Sequence, residues 1–216
     1  MGTVYDCRTP ADRAAGLAAA ASLIRGGWSV VFPTDTVYGI GCDPFSVSAV
    51  SDLLAAKGRT RGAPLPVLVG SWTAVDGLAQ YVSREARDLI EAFWPGGLSL
   101  VLNQTPSLTW DLGDSKGTVT VRMPLHPVAL DLLRDVGPMA VSMATGPAAT
   151  GPVTTIEDAR AQLAESVGAF LDSGPLTGTG TSTIVDLTGD EPRLLREGSI
   201  SRADLNAVLG REIVAV

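Results

Sequence analysis

The sequence predicts an α/β (α+β) fold in which helices flank a mixed, twisted β-sheet. Apolar residues make up 45% of the 216 residues, which is enough for a sizeable core. Strand-like and amphipathic helical segments both recur along the chain, but they do not keep a strict β–α–β order. Because a purely parallel sheet needs that order, we expect mixed strand directions. We expect one domain over residues 1–216, with its core at about residues 9–209.

Capping residues and apolar spacing locate the helices of the first half. Thr9-Pro10 is typical of an N-cap followed by proline at the first helical position. The alanine-rich run that follows ends at Gly26-Gly27. Apolar residues recur with helical spacing over 46–57 and again over 83–94. Three helices are therefore predicted before Pro95.

The helices of the second half carry similar signals. His126 directly before Pro127 indicates an N-cap for a helix over 127–136. A capping-box pattern at Thr155 predicts a helix that reaches about residue 167. A terminal helix is predicted over 201–209, and the last residues after Arg211 are expected to fray or to end against the body.

Runs rich in β-branched and aromatic residues predict the strands, which are 28–32, 65–69, 98–102, 118–122, 139–142, 169–172, 182–187 and 193–196. Pro66 favours an edge position or a bulge for its strand. The alternation over 118–122 places Thr118, Thr120 and Arg122 on one face. Segments 145–152 and 176–181 are predicted to be loops, since Gly, Pro, Ala and Thr dominate them.

Charge and rare residue types exclude several functions. The net charge is −7 and the isoelectric point is about 4.6, which argues against a broad nucleic-acid-binding face but allows a local basic pocket. Cys7 and Cys42 form no Cys-x-x-Cys pair and are expected to be reduced thiols. The single histidine, His126, excludes a multi-histidine metal site and argues against a Ser-His-Asp triad. No apolar run of about 18 residues occurs, so we expect a soluble, cytoplasmic protein that does not bind membranes.

One stretch carries the densest set of functional groups. An apolar strand ends at Pro33, and the hydroxyl-rich turn Thr34-Asp35-Thr36 follows, with Tyr38 just beyond it. Lys57 and Arg59 lie at the end of the next predicted helix. Hydroxyls, exposed amides and paired cations suit a phosphate-bearing anion. We therefore predict an anion site at this strand end, with Thr34 and Tyr38 as additional pocket residues.

Each of these residues also has an ordinary structural explanation. The segment 34–39 could be a common hydroxyl-stabilised turn with Gly39 at positive φ, and Lys57 and Arg59 could be solvated cations at a helix end. Arg122 and Arg196 could be surface charges. The glycine-rich segment 146–151 lacks the helix-opening GxGxxG pattern and the Lys-Ser/Thr of a P-loop, so neither nucleotide fingerprint applies.

Six motifs occur in a fixed order along the chain. They are Pro33-Thr34-Asp35-Thr36-Val37-Tyr38-Gly39-Ile40-Gly41, Ala56-Lys57-Gly58-Arg59, Trp94-Pro95-Gly96-Gly97-Leu98-Ser99-Leu100, Val121-Arg122-Met123-Pro124, Ser182-Thr183-Ile184-Val185-Asp186 and Leu195-Arg196-Glu197-Gly198. Their order and spacing together resemble the YrdC family, the threonylcarbamoyl-AMP synthases. The resemblance extends from about residue 25 to residue 198, which is most of the chain.

The resemblance implies a fold, a reaction and a set of partners. The fold is a twisted mixed sheet flanked by helices around a large, positively charged cavity. Family members condense L-threonine, bicarbonate and ATP into threonylcarbamoyl-AMP and pyrophosphate, and a separate transferase complex moves the threonylcarbamoyl group to adenosine of tRNA. ATP with Mg²⁺ is then the expected cosubstrate. No protein metal-ligand cluster and no stable contact with nucleic acid are expected.

Motif matching assigns two sets of site residues. The threonine side would be formed by Thr36, Arg122 and Ser182. The nucleotide side would be formed by Arg59, Thr118, Ser142 and Arg196, with Lys57 beside the phosphates. Lys57 and Arg59 would act in catalysis through their charge, because carbamate formation and adenylation need proximity and charge stabilisation rather than a nucleophilic side chain.

The sequence departs from the family mainly in one loop. The family commonly has Ser-x-Asn followed by Ser-Gly, where this chain has Met143-Ala144-Thr145 and Pro147-Ala148. Ala63 also stands where some members place asparagine, and Thr60 replaces a common proline. Lost side-chain hydrogen bonds would lower nucleotide affinity by roughly 10- to 10⁴-fold, unless Ser142, Thr145 or Thr150 compensates.

These departures leave two further functions open. The chain could be a diverged paralogue that adenylates or carbamoylates another amine. It could also be a non-catalytic nucleotide- or RNA-binding module that kept the fold, although the net charge of −7 argues against RNA.

Overall fold

The computed structural model describes residues 2–149, 151–163, 165–178 and 180–216. Thr150, named above as a compensating residue, and Thr179, part of the predicted loop over 176–181, lie outside the described residues. Within the described residues, eleven strands form one sheet. In chain order the strands are β1 (Thr3–Asp6), β2 (Val30–Pro33), β3 (Tyr38–Cys42), β4 (Val67–Leu68), β5 (Leu98–Asn103), β6 (Thr118–Arg122), β7 (Met139–Met143), β8 (Ala169–Asp172), β9 (Thr183–Asp186), β10 (Arg193–Arg196) and β11 (Val214–Ala215).

The helices agree with the predicted ones in number and order, apart from one short addition. They are α1 (Pro10–Arg25), α2 (Val47–Ala56), α3 (Val75–Leu78), α4 (Arg84–Phe93), α5 (Pro127–Val136), α6 (Ile156–Leu163) and α7 (Arg202–Leu209). The N-caps predicted at Thr9 and His126 are confirmed: the Thr9 hydroxyl accepts the N–H of Asp12, and His126 Nδ1 accepts the N–H of Val128. The sequence missed α3, which a 3₁₀ turn at Trp72–Ala74 precedes.

The sheet is mixed, as predicted. Its order is β1-β8-β2-β3-β7-β4-β6-β5-β9-β10-β11. β2 runs parallel to β8 but antiparallel to β3, and β5 runs parallel to β9 but antiparallel to β6. Strand direction therefore changes repeatedly across the sheet, which a strict β–α–β chain would not produce.

Helices cover the two faces unequally. On β2, Val30 and Phe32 pack in one apolar cluster with α1 and α5, whereas Val31 packs in the larger cluster on the opposite face. Helix α1 contacts β1, β2 and β8, and α5 contacts α1 and β2. These two helices therefore cover the β1 end of their face. The same face continues over β6, β5 and β9, and the candidate site lies there.

Two predictions about local structure were wrong. Pro66 does not mark an edge, since β4 lies between β7 and β6 inside the sheet. The proline precedes the two paired residues, and its carbonyl accepts the N–H of Val141. The missing N–H of the proline therefore removes no hydrogen bond from the sheet. Gly39 does not have positive φ, because it lies in β3, where the sequence predicts a turn.

The glycine in β3 that needs explaining is Gly41. A Cβ there would lie 2.7 Å from the Met139 side chain and 3.0 Å from that of Phe32. A strand with two glycines has low β-propensity, which is why its sequence resembles a turn. The short strands β1 and β11 were missed as well, and both lie outside the predicted core of residues 9–209.

Candidate active site

The candidate site is a cavity of about 290 Å³ on the sheet face beyond α1 and α5. Its floor consists of residues that alternate with core residues. Thr120 lies between the buried Val119 and Val121, and Ser99 lies between Leu98 and Leu100. Period-two alternation thus gives this part of the sheet an apolar face and a polar one. Seven predicted site residues line the cavity: Thr34, Thr36, Arg59, Arg122, Ser142, Ser182 and Arg196.

The turn between β2 and β3 supplies two hydroxyl groups. Thr34 Oγ1 donates to the carbonyl of Val37 at 2.6 Å and accepts the N–H groups of Thr36 and Val37. The hydroxyls of Thr34 and Thr36 lie 3.1 Å apart. Both residues are buried, and both line the cavity. The turn is thus hydroxyl-stabilised, as one interpretation of the sequence proposed, and it also faces the predicted site.

Arg122, at the end of β6, is held on three sides. Its Nε donates to the carbonyl of Gly96 at 2.9 Å, Nη1 donates to Thr36 Oγ1 at 3.2 Å, and Nη2 donates to Asp35 Oδ1 at 2.6 Å. The side chain is only 9% exposed. A buried guanidinium is costly unless it is paired and hydrogen-bonded, and these contacts meet both conditions. Arg122 is therefore not a surface charge.

A second arginine enters the cavity from β10. Arg196 donates from Nε to the carbonyl of Ser182 and from Nη2 to its hydroxyl, at 2.9 and 3.0 Å. The Ser99 hydroxyl donates to Ser182 Oγ at 3.0 Å. Burial, with a smaller contribution from the charge of Arg122, lowers the pKa of Arg196. Two arginines near one another in a cavity favour an anionic ligand between them.

Lys57 is buried rather than solvated, and it contacts the loop after β7. Its ammonium donates to the carbonyl of Met143 at 2.9 Å and to both the carbonyl and the hydroxyl of Thr145. Burial, together with the charge of Arg59, lowers the pKa of Lys57 to about 8. Lys57 does not line the cavity, whereas Arg59 does. The structure therefore separates the two cations into one that holds a loop and one that faces the site.

Gly58, between these cations, fits tightly against the same loop. It has φ of +58°, and a Cβ there would lie 2.8 Å from the Pro147 side chain. Both the left-handed backbone and the close approach favour glycine. The loop that departs from the family motif thus still packs on the Lys57-Gly58-Arg59 segment.

Besides Lys57, two predicted residues, Tyr38 and Thr118, do not reach this cavity. The Tyr38 hydroxyl donates to the carbonyl of Gly174 and accepts the N–H of Ser173, and burial raises the pKa of the phenol well above its usual range. Tyr38 packs in the core because β3 turns its side chain to the opposite face from Gly39. Thr118 donates to the carbonyl of Ser115 and does not line the cavity.

Several cavity residues were not assigned by the sequence. Ser99 and Thr120 form the floor, and Met143, 38% exposed, forms part of the wall. The alternation over 118–122 already placed Thr120 on the face of Arg122, so that signal was present. Ser99 belongs to the Trp94–Leu100 motif, but no role was assigned to it.

The cavity offers arginines and hydroxyls rather than carboxylates. Asp35, the carboxylate that contacts Arg122, does not line it. Among the described residues, no group of three or more His, Cys, Asp or Glu side chains could hold a metal ion. No helix in the described part of the chain is both long enough and apolar enough to cross a membrane.

Sequence comparisons place this chain among known relatives. The profile of the Sua5/YciO/YrdC family, described as telomere recombination, matches residues 22–198. A Mycobacterium tuberculosis protein whose name gives threonylcarbamoyl-AMP synthase as a provisional activity is 54% identical over 210 residues, which cover 97% of this chain and 96% of that protein. A Bacillus subtilis protein named threonylcarbamoyl-AMP synthase is 36% identical, with 90% of this chain and 56% of that protein covered.

Solved structures show the same fold. A Pyrococcus abyssi Sua5 variant superposes with a TM-score of 0.93 at 31% identity over the whole of this chain and 62% of the other. The P. abyssi Sua5 structure complexed with L-threonine superposes with a TM-score of 0.90 at the same identity and coverage. Escherichia coli YciO superposes with a TM-score of 0.83 at 23% identity over 95% of this chain and 98% of that one, which supports the fold alone.

Proposed function

The chain belongs to the Sua5/YciO/YrdC family, and we propose that it makes threonylcarbamoyl-AMP and pyrophosphate from L-threonine, bicarbonate and ATP. Relatives that match nearly the whole chain or most of it are named for this synthase activity, and one relative was solved with L-threonine. The observation that carries the proposal is the cavity itself, where Arg59, Arg122 and Arg196 line the same space as the hydroxyls of Thr34 and Thr36.

In this proposal the cavity has a threonine side and a nucleotide side. Arg122 is buried and hydrogen-bonded to Thr36, so the pair can bind the carboxylate and hydroxyl of threonine. Arg59 and Arg196 then face the phosphates of ATP, with Ser142 as a further polar neighbour, and Ser182 belongs to the threonine side. Lys57 acts indirectly, by holding the loop at Met143 and Thr145. Thr118 and Tyr38, which lie outside the cavity, have no direct role in this assignment.

The proposed chemistry needs no nucleophilic side chain. The threonine amine and bicarbonate give a carbamate with loss of water. A carbamate oxygen then attacks the α-phosphorus of ATP while the bond to the bridging oxygen breaks and pyrophosphate leaves. Arginine N–H groups stabilise the negative charge that collects on the phosphoryl oxygens. Mg²⁺ would enter with ATP, bound by its phosphates, since the cavity lining presents hydroxyls and arginines rather than carboxylates.

The product would be passed to a transferase complex that modifies tRNA. We propose that the chain does not itself hold tRNA stably, because a net charge of −7 disfavours a phosphate-binding surface. A cytoplasmic location fits the supply of ATP and tRNA. We also propose that the chain acts as one domain.

A mass-spectrometric assay tests the proposal. Purified protein is incubated with ATP, Mg²⁺, L-threonine and ¹³C-bicarbonate, and each component is omitted in turn. We expect a threonylcarbamoyl-AMP peak that carries the ¹³C label, depends on threonine and forms with pyrophosphate. A folded protein that forms no labelled adenylate would contradict the proposal.

One observation favours a second candidate function. Met143 is 38% exposed on the cavity wall, where the resembling family commonly has serine. An apolar side chain at this position suits an amine more apolar than threonine. The same assay with a panel of amino acids tests this candidate, which is lost if threonine gives the only adenylate.

A further inference from the structure

The hydrogen bonds of Arg122 leave part of its guanidinium available. A guanidinium carries five N–H donors, and three of them bind Gly96, Thr36 and Asp35. Within the described residues, the other two N–H groups, one on each terminal nitrogen, have no protein acceptor. Because Arg122 lines the cavity, these two donors form the part of the side chain that can bind a ligand there.

Asp35 makes the shortest of the three contacts, and it is itself fixed. Its Oδ1 lies 2.6 Å from Arg122 Nη2 and also accepts the N–H of Leu125 at 2.9 Å. Its side chain is 16% exposed and does not line the cavity. The carboxylate therefore ties the β2–β3 turn to the chain just after β6, and it contacts Arg122 without lining the cavity.

We propose that Asp35 is a positioning residue that fixes the Arg122 guanidinium, so that its two remaining N–H groups are held in place to bind a carboxylate in the cavity. Arginine N–H groups are directional donors to a carboxylate, which is why the orientation of an arginine matters as much as its charge. The inference rests on the proposed function where it takes threonine as the carboxylate.

The competing explanation is that Asp35 only offsets the charge of Arg122. The two explanations predict opposite results. If Asp35 only neutralises the charge of Arg122, its removal leaves a more positive cavity, and a carboxylate binds as tightly or more tightly. If Asp35 positions Arg122, its removal frees the guanidinium to rotate, and a carboxylate binds more weakly although the cavity is more positive.

The test compares two variants of Asp35 with a matched control. Asp35→Ala removes the acceptor, whereas Asp35→Asn removes the charge and keeps an oxygen for Arg122 and Leu125. Asp186→Ala is the control, because Asp186 also accepts an arginine N–H at 2.6 Å, from Arg193, and a backbone N–H at 2.9 Å, away from the cavity. Threonine and ATP binding are measured by calorimetry, and the melting temperature reports folding.

We expect Asp35→Ala to weaken threonine binding by about tenfold or more, which is the scale of one lost charge-assisted contact. ATP binding should change little, Asp35→Asn should keep most of the threonine affinity, and Asp186→Ala should change neither. Equal or tighter threonine binding by Asp35→Ala would overturn the inference. So would an equal loss in Asp186→Ala, since the effect would then be one of general stability.

A second measurement keeps the inference separate from the proposed function. NMR of ¹⁵N,¹³C-labelled arginine reports rotation about the Cζ–Nη bonds, and an Arg122→Lys variant identifies the signal. We expect slow rotation in the wild type and faster rotation in Asp35→Ala. If the wild type binds no threonine, the proposed function fails. Unchanged rotation in Asp35→Ala would separately overturn the positioning role.

Discussion

The ammonium nitrogen of Lys57 lies 2.9 Å from the carbonyl oxygen of Met143, at the end of β7. The acceptor is a backbone carbonyl, so this contact does not depend on the identity of the side chain at residue 143. Thr145 adds its own carbonyl and hydroxyl to the same ammonium. The loop that departs from the family motif therefore keeps a buried lysine as its anchor.

Burial of Lys57 should make stability depend on pH in a defined direction. The pKa is lowered from its usual 10.5 to about 8 in the folded chain, so between these values the unfolded chain binds more protons. Stability due to Lys57 therefore rises as the pH rises from about 8 to about 10. Relative to Lys57→Met, the wild type should gain roughly 2 kcal/mol of unfolding free energy over that range, measured by urea denaturation. A pH-independent difference between the two proteins would contradict the assignment.

Gly58 should not tolerate a side chain. Gly58→Ala places a side chain at positive φ and in contact with Pro147, and we expect the free energy of unfolding to fall by about 2–4 kcal/mol. Gly117→Ala is the matched control, since Gly117 has φ of +79° with open space around a Cβ. It should lose only about 1 kcal/mol, measured by thermal unfolding. Equal losses in the two variants would show that Pro147 does not press on Gly58.

Arg196 should contribute to ATP binding and not to the integrity of the sheet. Arg196→Ala removes a guanidinium from the cavity, and we expect the KM for ATP to rise by about tenfold or more. Arg193→Ala removes another arginine from β10, one that pairs with Asp186 away from the cavity, and should leave this KM unchanged. Steady-state pyrophosphate release measures both variants. A similar rise in both would indicate damage to β10 rather than a lost contact with ATP.

The sequence predicted the elements with strong periodicity and missed those without it. The caps at Thr9 and His126 gave the starts of α1 and α5, because a capping side chain acts locally. Strand β3 was missed because Gly41 is required by the close approach of Phe32 on β2 and of Met139, which lies far along the chain. Strand β11 has two residues and pairs with β10 at the sheet edge, so only tertiary structure defines it.

The sequence predicted those site residues that belong to a family motif and also lie on the face that lines the cavity. Thr34, Thr36, Arg59 and Arg122 line one cavity as expected. Tyr38 belongs to the same motif but points to the other face of β3, which only the strand register reveals. Lys57 was expected beside phosphates, yet its partners come from residues 143–145, far along the chain.

The most direct test of the central claim compares the wild type with the double variant Met143→Ser/Thr145→Asn, which restores the common family residues. Both are assayed for threonine-dependent, ¹³C-labelled threonylcarbamoyl-AMP. Because the Lys57 anchor and the arginines are in place, we predict that the wild type forms the product, at a rate within about tenfold of the double variant. Product from the double variant alone would contradict the claim that this cavity works with its own loop.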